Sequence, residues 1–115
     1  MRIVKATCLC KKITLSFTLQ HDWYDACHCG MCRNWGGGPI MTVHAGTAVT
    51  VEGEENLKIY NSSDWAERAF CANCGTHMFY RLKQNQTHYV PVGTLEESDD
   101  LKFNMQIFID KKPAS

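Results

Sequence analysis

No segment of this sequence approaches the roughly 18–20 consecutive apolar residues that a membrane-spanning helix requires. Twelve Lys and Arg balance twelve Asp and Glu among the 115 residues, so neither sign of charge is in excess. Nucleic acid and anionic membranes are therefore not expected partners, because both select proteins with a basic face. The N-terminal segment also lacks the apolar stretch of about 7–15 residues found in secretory signals. We expect a cytoplasmic protein with reduced thiols.

Internal repeats, linkers and low-complexity tracts are absent, and helical periodicity is scarce. Apolar and polar residues instead alternate, most clearly over 13–19, which is typical of a half-buried β-strand. Further strands are predicted at 2–7, 40–44, 47–52, 57–61, 66–70, 77–82, 87–92 and 101–109. Only residues 95–101 favour a helical turn. Many short strands with little helix predict one all-β domain spanning residues 1–115.

Cysteine, by contrast, is abundant, with seven in the chain. An odd number leaves one thiol over from a disulfide framework, and clustered cysteines in a reducing compartment more often bind metal. Structural zinc usually has four protein ligands, whereas catalytic zinc usually has three and keeps a fourth position for water or substrate. Seven cysteines therefore suggest one site of four ligands and one of three.

Two cysteine pairs have the spacing expected of a structural zinc site. A CxC pair precedes the strongest predicted strand, where residues i and i+2 share a face. A CxxC turn is followed by Gly75, which lets the backbone take a positive φ there. We call these residues the four-cysteine group: Cys8, Cys10, Cys71 and Cys74. The pairs together predict a closed zinc site.

The segment CHCGMC combines a CxC with a CxxC in one short loop. Its sulfurs form the three-cysteine group: Cys27, Cys29 and Cys32. Because the loop supplies only three sulfurs, it predicts a catalytic zinc with an open position. Three alternatives stay open. His28 could complete a closed site, the four-cysteine group alone could bind metal because open thiolates lose zinc or oxidise, or the cysteines could form disulfides.

The arrangement CLC … CHCGMCRNWGGG … ERAFCANCGTHMFY … PVGTLEE … QIFIDKKP resembles the glutathione-dependent formaldehyde-activating enzyme family, which includes the centromere protein V domain. The resemblance runs from about Cys8 to Pro113 and fits at every cysteine. It implies two Zn²⁺ per chain, structural at the four-cysteine group and catalytic at the three-cysteine group. It also implies coiled β-sheets of the Mss4-like type, as in the Mss4 exchange factor and methionine-sulfoxide reductase B.

Two features depart from the family pattern. Gln106 stands where many members have a histidine before the late IF segment, so a base or ligand is not expected there. Members also usually continue past the KP segment with an aromatic-rich tail, whereas this sequence ends at Ser115. Part of the usual site wall is therefore expected to be absent.

The charge of the three-cysteine group indicates its chemistry. Three thiolates with Zn²⁺ have a net charge of −1, which polarises water poorly and favours a thiol, deprotonated by the metal, as fourth ligand. Such a sulfur can add to an aldehyde carbon, or leave when a hemithioacetal collapses. The resemblance implies the same chemistry, a carbon–sulfur lyase similar to S-(hydroxymethyl)glutathione synthase, with glutathione and formaldehyde as substrates.

Residues around the three-cysteine group are candidates for substrate contact. Arg33 could pair with a carboxylate or offset the charge, His28 could transfer a proton, and Trp35 could line the pocket or pack on the core. The glycines could present N–H groups to an oxyanion: Gly36, Gly37 and Gly38. Among the other histidines, His77 is the strongest candidate because it follows the CxxC turn.

A different class of function is also compatible with the sequence. A non-enzymatic zinc module of the Mss4-like fold needs only the four-cysteine group and leaves the three-cysteine group without a role. A sulfoxide reductase of that fold needs a nucleophilic cysteine on a late strand, but none follows Cys74. Metal content per chain under reducing conditions would separate the enzyme from the binding module.

Overall fold

The structure is a computed structural model that describes residues 2–98 and 100–107, with side chains described as far as Phe103. Ten strands lie in these ranges: β1 (Ile3–Thr7), β2 (Thr14–Thr18), β3 (Trp23–Cys27), β4 (Ile40–Gly46), β5 (Thr50–Glu52), β6 (Leu57–Tyr60), β7 (Ala66–Cys71), β8 (His77–Leu82), β9 (His88–Pro91) and β10 (Lys102–Ile107). The helical elements there are α1 (Gly30–Gly36) and 3-10 turns at Glu54–Asn56 and Val92–Thr94. The all-β prediction is confirmed.

The strands form two sheets. The smaller has the antiparallel order β1-β2-β5. The larger has the order β10-β3-β4-β9-β8-β7-β6, in which the β10–β3 pair is parallel and the other pairs are antiparallel. β3 and β7, which both contribute to the candidate site, are therefore separated by three strands of one sheet.

The hydrophobic core draws residues from both sheets. The alternating residues of the strongest predicted strand are all buried, with exposed fractions between 0% and 3%: Ile13, Leu15, Phe17 and Leu19. They belong to one cluster with Val43, Phe79 and Val90 of the larger sheet. Full burial of a side chain of this size contributes about 1.5–3 kcal/mol, so the smaller sheet is held on the larger mainly by this cluster.

Two regions differ from the sequence prediction. The segment 95–101, predicted as a helical turn, begins by pairing with β1 and ends in a hydrogen-bonded turn, in which the Leu101 N–H donates to the Ser98 carbonyl at 3.1 Å. Leu95 forms a bridge with Ala6, and the Glu96 N–H donates to the Lys5 carbonyl at 3.0 Å. The segment 23–36 forms β3 and α1 where no strand and only a loop were predicted. The end of the strand predicted at 101–109 lies outside the described residues.

Within the described ranges, no helix combines the length and apolar character needed to cross a membrane.

Candidate metal centres and active site

The four-cysteine group joins the two sheets. Cys8 and Cys10 follow β1, Cys71 ends β7, and Cys74 lies in the turn to β8. Their sulfurs all lie within 4.8 Å of one another. Cys10 Sγ is 3.6 Å from Cys8 Sγ and 3.7 Å from Cys71 Sγ, far beyond a disulfide bond length of about 2 Å, and all seven cysteines of the chain are free thiols.

Backbone geometry directs these sulfurs inward. Gly75 has φ +80°, as the CxxCG pattern predicts. The N–H groups of Ile13 and Cys74 donate to Cys8 Sγ at 3.3 Å and to Cys71 Sγ at 3.5 Å. The Thr76 hydroxyl lies 3.1 Å from Cys74 Sγ, and this hydrogen bond is the main cause that lowers the Cys74 pKa to about 5. Four converging sulfurs, one of them readily ionised, fit a tetrahedral zinc site.

The three-cysteine group lies where β3 passes into α1. Cys27 is the last residue of β3, and Cys29 is the N-cap of α1. The Cys32 N–H in the first turn donates to Cys29 Sγ at 3.4 Å. The three sulfurs lie within 4.8 Å of one another. The start of a helix, rather than a loop, thus brings Cys32 to its partners.

The group has three ligands in the part of the chain that the structure describes. There, no histidine nitrogen or carboxylate oxygen joins the three sulfurs. His28 is only 3% exposed, so its ring has little surface to offer a substrate. The backbone of β10 places Gln106 beside Ala26 and Ile107 beside Cys27. The backbone of Gln106 is therefore next to the group, although its side chain lies outside the described residues.

A buried arginine contacts the three-cysteine group. Arg68 of β7 is 3% exposed, and its Nη1 and Nη2 each lie 3.7 Å from Cys32 Sγ. Its guanidinium lies over the ring of Trp35 at 5.0 Å and over the ring of Tyr80 at 4.8 Å. A buried charge requires such partners, because its desolvation is otherwise costly. Arg68 is therefore a cation in contact with a sulfur of the group, in addition to Arg33, the cation that the sequence suggested.

Arg68 was missed by the sequence analysis. The available signal was weak: a charged residue shares a strand face with Ala66 and Phe70 in the predicted strand 66–70. An arginine in such a position is more often solvated than buried.

Burial raises the pKa of the Cys32 thiol to about 12, while the hydrogen bond from Arg68 acts in the opposite direction. Burial also raises the pKa of Cys27. Three adjacent thiols do not all ionise by themselves at neutral pH, whereas a bound cation deprotonates the thiols that coordinate it. The donor set and its spacing therefore fit a metal site, and the soft sulfur ligands suit zinc.

The remaining predicted contacts divide into two kinds. Trp35 lies beside the site, because its ring contacts the Arg68 guanidinium at 5.0 Å, and it also stacks on His77 with centroids 3.6 Å apart and planes 7° apart. Gly37 instead caps α1, with φ +85° and its N–H donating to the Arg33 carbonyl at 2.7 Å. That N–H is not available to an oxyanion. Gly36 ends the helix and Gly38 follows the cap, and both have open space where a Cβ would stand.

The chain resembles proteins of known sequence and structure over nearly its full length. Residues 3–111 match the family described as glutathione-dependent formaldehyde-activating enzyme. An uncharacterized lyase of Schizosaccharomyces pombe is 33% identical over 110 residues, which are 95% of this chain and 80% of that protein. A crystal structure of a Rhodobacter sphaeroides protein superposes with a TM-score of 0.69 at 25% identity and covers 87% of this chain and 99% of its own. The protein belongs to the glutathione-dependent formaldehyde-activating enzyme family.

Proposed function

We propose that the protein is a zinc-dependent carbon–sulfur lyase that forms and cleaves adducts of a small thiol with an aldehyde. Glutathione and formaldehyde are the substrates that the family description supports. The activity would be that of an S-(hydroxymethyl)glutathione synthase. The main structural support is the three-cysteine group, whose sulfurs converge beside Arg68 without a fourth ligand among the described residues. The S. pombe relative, named as a lyase, supports the same reaction class.

In this proposal the two groups hold different zinc ions. The four-cysteine group holds a structural zinc, because a fully coordinated site leaves no position for substrate. The three-cysteine group holds a catalytic zinc, which when bound would supply a positive centre that stabilises a thiolate sulfur. Of these two groups, the one with a ligand position left for a substrate is therefore the three-cysteine group at the start of α1.

The reaction forms two bonds, carbon–sulfur and oxygen–hydrogen, and breaks two, the sulfur–hydrogen bond and the carbon–oxygen π bond. The thiol sulfur bonds to the carbonyl carbon, the carbon–oxygen π bond opens, and the thiol proton ends on the carbonyl oxygen. The reverse reaction breaks the carbon–sulfur bond. The chain's own contribution is to hold the three sulfurs together and to place an aromatic wall, Trp35 and Tyr80, around the buried guanidinium of Arg68.

Exchange spectroscopy tests the proposal. Reduced, zinc-loaded protein is added to glutathione and ¹³C-formaldehyde, and NMR measures the exchange rate between hydrated formaldehyde and its glutathione adduct. We expect the wild type and the remote Arg81→Met variant to accelerate exchange, and Cys29→Ser to leave it at the uncatalysed rate. A zinc-loaded wild type that does not accelerate exchange would favour the non-enzymatic zinc module.

A further inference from the structure

The charge on the three-cysteine group changes once Arg68 is counted. Three thiolates with Zn²⁺ have a net charge of −1, and the guanidinium adds a charge of +1 that no protein environment removes. The Arg81–Glu67 ion pair does not enter this sum, because Glu67 directly precedes Arg68 on β7 and its side chain therefore lies on the opposite face of the sheet. The loaded group together with Arg68 is therefore neutral.

Among the described residues around Arg68, the group that can take a negative charge and contacts its guanidinium nitrogens is the Cys32 sulfur. Both Nη atoms are directed at the same atom, Cys32 Sγ, and both neighbouring faces are rings, those of Trp35 and Tyr80. At 3% exposure, water contributes little to its solvation. Among the described side chains, the guanidinium charge is thus matched by Cys32 when that sulfur has the negative charge of a metal ligand, which links Arg68 to the loaded state of the group.

We infer that Arg68 is a positioning residue: it holds Cys32 as a ligand and cancels the charge of the loaded group, so that the fourth ligand accepted is an anionic thiolate. Without Arg68 the loaded group has charge −1 and repels a second anion. With it, a thiolate approaches a neutral centre. The inference rests on the proposed function for the thiol as ligand, but the effect on metal retention is independent of any reaction.

Three variants of the full chain test this inference. Arg68→Met keeps a long stem against Trp35 and Tyr80 but removes the charge. Arg68→Lys keeps the charge but loses the planar fork. The matched control is Arg81→Met, which removes an arginine on the adjacent strand that pairs with Glu67 rather than a sulfur. Zinc per chain is measured under reducing conditions in competition with a chromogenic chelator, and thiol binding is measured on cobalt-substituted protein.

The expected pattern is specific. Arg68→Met should lose metal from the three-cysteine group about 10–100-fold more readily, as happens when a partner of a metal ligand is removed, and keep the other metal. Its remaining loaded fraction should bind glutathione at least tenfold more weakly. Arg68→Lys should fall between Arg68→Met and the wild type in both measurements, and Arg81→Met should match the wild type.

Equal metal retention and equal thiol affinity in Arg68→Met and the wild type would overturn the inference. If Arg68→Met does not fold, Arg68→Lys decides: because it loses the two-nitrogen contact with Cys32, wild-type retention and affinity in that variant would overturn the inference that Arg68 holds Cys32 as a ligand. A wild type whose cobalt form ignores thiols would contradict the proposed function instead, and the metal-retention comparison would still decide the role of Arg68.

Discussion

The rings of Trp35 and His77 stack face to face, with centroids 3.6 Å apart and planes 7° apart. This contact joins α1, which contains Cys32, to β8, which begins directly after the Cys71–Cys74 turn. The two cysteine groups are therefore mechanically connected, because the turn that one group organises supports the helix that the other group needs.

The stacking contact predicts that His77→Ala weakens the three-cysteine group although His77 is not a ligand. Loss of an aromatic pair should lower the free energy of unfolding by about 1 kcal/mol and speed the release of one zinc to a chelator. His21→Ala is the matched control. His21 also stacks on an aromatic ring, that of Trp23, with centroids 4.1 Å apart and planes 8° apart, but it contacts neither Trp35 nor a cysteine group. Identical release rates in the two variants would refute the connection.

Serine substitutions should separate the two groups. Cys71 is fully buried at the end of β7, so Cys71→Ser should remove the structural metal and yield unfolded or aggregated protein, because metal affinity is partly folding free energy. Cys29→Ser should stay folded and bind one zinc instead of two. Thermal denaturation and metal analysis measure both outcomes. Equal losses of thermal stability would show that the groups do not have separate roles.

Two glycines of similar φ should differ in their tolerance of alanine. Gly53 has φ +81°, and a Cβ there would lie 1.8 Å from the Lys12 carbonyl oxygen. Gly37 has φ +85° with no atom within 4 Å of such a Cβ. Gly37→Ala should cost only the left-handed strain, about 1–2 kcal/mol, whereas Gly53→Ala must also displace backbone and should cost more. Urea denaturation measures the loss of unfolding free energy in each variant. Equal losses in Gly37→Ala and Gly53→Ala would contradict this prediction.

Protonation of His88 should lower the free energy of unfolding in mild acid. The ring is 6% exposed, Nδ1 lies 3.1 Å from the Gly46 carbonyl oxygen, and burial lowers its pKa. As pH falls below about 6.5, the unfolded state takes up the proton first, so the free energy of unfolding decreases by up to about 1.4 kcal/mol per pH unit until the folded pKa is reached.

The measurement is the pH dependence of the free energy of unfolding at saturating zinc, compared between variants. His88→Gln should have a shallower slope below pH 6.5 or so than the wild type, whereas the exposed-residue control His21→Gln should keep the wild-type slope. Parallel curves for the wild type and His88→Gln would show that another group is responsible.

The sequence predicts the parts of the fold that local pattern determines. Strand β8 occupies the predicted residues 77–82, because strand-forming aromatic residues and flanking turn signals agree there. Strand β3 was missed because Asp25, a poor strand former, lies at its centre, where the structure buries it against His44 at a distance of 3.2 Å. Helix α1 was missed because it is short and has glycine at both ends, and its cap comes from Cys29.

The candidate site divides in the same way. Cysteine spacing is local, so the grouping of the sulfurs follows from the sequence. The contact between Arg68 and Cys32 is not local, because Arg68 lies on β7 and Cys32 lies on α1 directly after β3, which is separated from β7 by three strands. The local signal at Arg68, its place between Ala66 and Phe70 on one strand face, is too weak to predict this contact.

A thiol should become the fourth ligand of the three-cysteine group, and cobalt makes this ligand visible. Cobalt replaces the more labile zinc of the reduced protein, and sulfur-to-cobalt charge-transfer absorption is recorded while glutathione is added. We predict that the absorption changes to that of four sulfur ligands, and that S-methylglutathione, which cannot form a thiolate, produces no such change. An unchanged spectrum on adding glutathione to fully loaded, reduced protein would contradict the proposal.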